Sequence, residues 1–164
     1  MRVTPGGAGR GGMIDETYVR SLTAAIKGHI QESEQNALKA THDAEVTRTE
    51  APKRWAELKQ WLREAVEQVE AELPPGTLQY REDGPLKITL HCHAGKRSNV
   101  IVTFVEINGG IAVHGNGFNA EFEPVIEGEE FYYMLSDSRS RTRRKITIDA
   151  MGKHVLNAVA NYRQ

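Results

Sequence analysis

The chain has 164 residues, enough for about one domain, with a hydrophobic fraction of 39%, a charged fraction of 26% and a formal net charge of −1 at pH 7. These values are ordinary for a soluble globular protein and exclude a bulk polycation, so nucleic-acid contact would have to come from a local patch. One cysteine, Cys92, excludes an intramolecular disulfide, a zinc ribbon and a CxxC redox motif.

Residues 1–12 are rich in glycine and small side chains and carry only Arg2 and Arg10 as charges, which predicts a flexible tail ahead of a single α+β domain over 13–164. That opening holds no apolar block of the signal-peptide kind, and no run of about 18 apolar residues is present to cross a bilayer. The expectation is a cytoplasmic protein without membrane contact.

Ile14, Tyr18, Leu22, Ala25, Ile26 and Ile30 recur at steps of three and four, which predicts one face of an amphipathic helix capped by Asp15. The pattern thins after Ile30. A second stripe, Trp55, Leu58, Leu62, Ala65, Val66, Val69 and Leu73, follows Thr49 and Pro52, residues suited to a cap and a first turn, and stops at Pro74-Pro75-Gly76. Its charges oppose the helix dipole, with Lys53, Arg54, Lys59 and Arg63 early and Glu64, Glu67, Glu70 and Glu72 late. An antiparallel helical hairpin over 13–73 answers this, because Arg20 and Lys27 then approach the acidic end while Asp43 and Glu45 approach Lys53 and Arg54. One long broken helix used in dimerisation is the alternative. Trp55, Leu58 and Leu62 pack on a sheet or form a self-association surface.

After Gly76 the period changes to two, and an antiparallel meander of about six short strands is predicted over 77–148. Its strands are drawn from the alternating stretches Thr77 to Arg81, Leu86 to His93, Asn99 to Glu106, Ile111 to His114, Phe118 to Pro124, Glu129 to Leu135 and Lys145 to Ile148. Asn108-Gly109-Gly110 and Gly115-Asn116-Gly117 are turns, not phosphate loops, since each leads into more strand. Ala150, Val155, Leu156, Ala158, Val159 and Tyr162 predict a helix over 149–162, capped by Asp149 and packed on one sheet face.

Three groups of residues carry candidate chemistry. Arg139, Arg141, Arg143, Arg144 and Lys145 place five positive charges within seven residues, a pattern that grips a phosphate backbone without reading sequence. Glu121, Glu123, Glu127, Glu129 and Glu130 precede them, so the same charges can instead pair across a hairpin. Alternation puts His91 and His93 on one strand face, and with His114 nearby they form a candidate three-histidine metal site. Cys92 points to the opposite face, where it acts as a small core hydrophobe instead of a nucleophile. Of the aromatic run Phe131-Tyr132-Tyr133, core packing is expected before base stacking. The leading expectation is a non-catalytic interaction or assembly module that needs no cofactor and binds a protein partner or itself. Sequence-independent nucleic-acid binding is the alternative, and a metal-dependent enzyme at His91 and His93 a second one.

Overall fold

The computed structural model describes residues 14–137 and 143–161 and has the order helix, seven strands, helix. The expected tail, together with Arg139 and Arg141, lies outside the described residues. The chain divides into two units, Met1–His42 and Asp43–Gln164, and helix α1 (Glu16–Glu70) has residues in both. Asp15 caps it as expected: its carboxylate accepts the Thr17 amide at 3.0 Å.

The helical hairpin is not formed; residues 16–70 are one helix of 55 residues. No glycine or proline lies between Gly28 and Pro52 to make a turn. Pro52 itself removes one amide donor, and proline in a helix interior costs about 3 kcal/mol. The turns around it bury Ala51, Trp55, Leu58, Leu62 and Val66, and each large side chain contributes roughly 1.5–3 kcal/mol, so burial wins. Thr49 therefore lies inside the helix instead of capping one.

The adverse dipole is answered locally. Lys53 pairs with Glu50 and Arg54 with Glu57, each at 3.5 Å, while Arg63 reaches Glu82 at 2.5 Å. Glu70, in the last turn, accepts the backbone amides of Gly76 at 2.5 Å and Leu78 at 2.7 Å. Its charge thus holds the start of the sheet.

The strands are β1 (Leu78–Glu82), β2 (Lys87–Cys92), β3 (Ser98–Val105), β4 (Gly110–Gly115), β5 (Phe118–Glu127), β6 (Glu130–Asp137) and β7 (Arg143–Ile146). They pair antiparallel in sequence order, a seven-stranded meander. Strand β5 runs past Pro124, the expected end, because from residue 123 onward it pairs with β6 alone and β4 needs no donor there. Period-two alternation gives one buried face of Ile88, Leu90, Val100, Val102, Phe104, Ile111, Val113, Phe122, Tyr133 and Leu135.

Helix α2 (Ile148–Ala160) adds Met151, Val155 and Val159 to that core. Its cap is Thr147 instead of Asp149, with the threonine hydroxyl accepting the Ala150 amide at 3.2 Å. Asp149 sits in the first turn, where its charge suits the dipole; it pairs with Lys153 at 2.8 Å and accepts the Trp61 indole N–H at 3.2 Å. The turn before β4 is fastened from inside, since Tyr133 donates its buried hydroxyl to the Gly109 carbonyl at 2.7 Å.

Candidate functional site

Trp55, Leu58 and Leu62 pack on the sheet, the first of their two expected roles. Leu58 and Leu62 are fully buried, and Trp55 stacks on Phe104 at 5.7 Å with its indole N–H donated to the Pro85 carbonyl at 2.8 Å. They leave a second copy nothing to touch.

The N-terminal unit differs. Every residue from 14 to 41 is exposed, and among them are Ile14, Tyr18, Val19, Leu22, Ile26, Ile30 and Leu38. Ile26, in the middle of the stripe, is 49% exposed and Leu38 is 72% exposed. Scattered apolar residues on a surface need no explanation, whereas these recur along one helix. In proteins most helical stability comes from packing an apolar face.

The basic segment is partly visible. Strand β7 is the sheet edge, and its Arg143 and Lys145 meet carboxylates: Arg143 pairs with Glu123 on β5 and Lys145 with Glu130 on β6. Lys145 also sits 4.6 Å over the Tyr132 ring, and Tyr132 donates its hydroxyl to Glu127 at 2.5 Å. Arg144 is 3.1 Å from His154 of α2. Positive charge on an edge strand also blocks edge-to-edge pairing with other sheets.

The histidines are placed by register. His91 on β2 faces Asn99 on β3, and its Nδ1 lies 2.6 Å from the Asn99 side-chain oxygen. The His91 and His93 rings stack at 6.3 Å. His114 on β4 pairs with Ile101 and Asn119, and Ile101 pairs with Thr89, so His114 stands two register positions from His91 and two strands away. Among the described residues no three His, Cys, Asp or Glu side chains come together to hold a metal ion. Cys92 packs against the core, as the alternation implies.

Other ionisable groups are tied to neighbours. Glu82 is held below the usual carboxylate range by the Tyr80 hydroxyl and then by Arg63, and Asp83 by the Thr89 hydroxyl and then by Arg81. Burial pushes the Tyr80 and Tyr133 phenols up. These carboxylates stay ionised and these phenols protonated at neutral pH, so neither kind is poised for acid–base work there.

One cleft of about 510 Å³ lies between residues 43–52 of α1 and the β3–β4 turn, lined by Ala51, Phe104, Pro124 and Ile126. At its rim stands Ile107, which is 94% exposed. Sequence reading missed Ile107, because a lone isoleucine in a turn has no periodic signal. It missed Glu70 for another reason: a side chain eight residues from its partner amide follows no helical spacing. Among the described residues no helix is long and apolar enough to cross a membrane. Comparison with protein-family models, with characterised proteins and with solved structures finds no match for this chain.

Proposed function

We propose that the protein is a non-catalytic interaction and assembly module whose working surface is the apolar stripe of α1 between residues 14 and 38. The stripe is covered by a polypeptide, either another protein or a second copy. The observation that carries this reading is the contrast within one helix: residues 51–66 bury their apolar side chains in the chain's own core, while residues 14–38 leave theirs open. Such a face is worth covering, since each large aliphatic side chain removed from water contributes roughly 1.5–3 kcal/mol. The nucleic-acid alternative has weaker support, because two of the three described cations of the run, Arg143 and Lys145, have a carboxylate partner, and the third, Arg144, lies against His154. A metal-dependent enzyme would need ligands that His91, His93 and His114 do not supply together.

The test puts charge into the stripe. Immobilised wild-type chain is compared with a Leu22→Asp, Ile26→Asp variant as bait in a lysate of the source cell supplemented with untagged wild-type chain, and each recovered polypeptide is quantified. The reading predicts that at least one polypeptide, the untagged copy included, is recovered about tenfold or more less by the variant, the equivalent of 1.4 kcal/mol. Equal recovery by both baits contradicts it. Both substitutions lie at exposed positions, and the near-ultraviolet signal of Trp55 and Trp61 checks that the sheet unit is unchanged.

A further inference from the structure

We infer that the stripe is covered by a second copy of this chain, in parallel and in register, as a two-stranded coiled coil over residues 15–41; this rests on the assembly reading above. Val19, Thr23, Ile26, Ile30, Ser33, Ala37 and Ala40 alternate at steps of four and three, the spacing of a seam between two helices. All seven lie on the helix and all are exposed. In a parallel pair each meets its own equivalent, so Ile26 packs on Ile26 and Ile30 on Ile30, and the small Ser33, Ala37 and Ala40 meet one another. Leu22, which flanks the seam, covers its side, while Ile14, Tyr18 and Leu38 lie off it.

The flanking charges choose the partner and its direction. In a parallel pair a residue on one flank faces the residue five positions later on the other flank of its partner. The pairs are then Asp15 with Arg20, Leu22 with Lys27, His29 with Glu34, and Asn36 with Thr41. None repels. The first is an ion pair, and the lysine stem can lie along the leucine. The antiparallel arrangement that keeps Ile26 opposite Ile30 instead places Lys27 against the other copy's Lys27, and it sets the large Val19 against the small Ala37. Its one gain, Arg20 against Glu34, is an exposed ion pair of the same small worth as Asp15 with Arg20, so the difference lies in the packing and in the Lys27 contact. Packing and charge together favour the parallel direction.

Light scattering and directed disulfides test both parts. In a Cys92→Ser background, single Val19→Cys and Ala37→Cys variants are prepared; the two positions are 18 residues apart, or about 27 Å along the helix. The inference predicts a mass of twice 18.3 kDa for wild type at high concentration, and a disulfide-linked dimer from each single variant on mild oxidation. Cross-linking only when the two variants are mixed overturns the parallel register. A strictly monomeric chain with no cross-link overturns the second copy altogether. In that case stripe-dependent capture of a different polypeptide keeps the assembly reading, and its absence ends both. A dimer that survives Leu22→Asp, Ile26→Asp places the contact elsewhere and overturns the second copy on this face; the assembly reading then stands or falls on the same capture.

Discussion

Gly115→Ala is expected to destabilise the sheet unit by about 3 kcal/mol or more, read as a fall in the urea midpoint. Gly115 ends β4 at φ +135°, which side chains rarely adopt, and an added Cβ would lie 2.1 Å from the Asn99 carbonyl oxygen and 3.0 Å from the Val100 Cα. Both obstacles are backbone of β3, where Asn99 and Val100 are paired with His91 and Leu90 of β2, so neither can yield without disturbing that ladder. The control is Gly117→Ala in the same turn. That residue also has a positive φ, +74°, but open space around it, so the expected cost is about 1 kcal/mol. Equal losses at the two positions would show that backbone conformation, not the close approach of β3 and β4, is what glycine provides.

Gly152→Ala is expected to cost about 2–3 kcal/mol, and to change sign when Trp61 is removed. The missing side chain leaves room for the Trp61 ring, which would lie 2.1 Å from an alanine Cβ. Trp61 cannot move freely, because its indole N–H is donated to Asp149 on the same helix as Gly152. In a Trp61→Ala background the clash is absent and only helix propensity remains, so the same substitution should stabilise by about 1 kcal/mol. A double-mutant cycle measures the difference. A destabilisation of the same size in both backgrounds would mean that α1 and α2 are not held together through this contact.

The sheet was legible because most strands alternate, β3 most clearly, and the turns carry their own chemistry, down to Asn108-Gly109-Gly110. Helix α2 was legible except for its cap: Thr147 and Asp149 are both good capping residues, and strand β7, which delivers the chain to the helix, decides between them. The continuity of α1 was not legible. Helical spacing in residues 14–30 and 55–73 fits a hairpin and a single helix equally well, and the proline between them favours a break that burial of Trp55, Leu58 and Leu62 then overrides. Nor does sequence say which part of that helix is left uncovered. Ile26 and Leu62 have the same residue class and the same periodicity, and what distinguishes them is whether a sheet lies beneath, a tertiary fact. The basic run was legible as a choice: its charges could grip phosphate or pair with the acidic residues before them, and Arg143 and Lys145 take the second course with Glu123 and Glu130.

Amide hydrogen exchange of residues 16–41 in the purified wild-type chain, at high and at low concentration, addresses the covered stripe most directly. A seam formed with a second copy predicts amides that are strongly protected at high concentration and lose that protection on dilution, with Val19, Ile26 and Ile30 among the slowest. Exchange at the rate of an isolated helix, unchanged by concentration, would contradict it and leave the apolar face of α1 open to water in the purified protein.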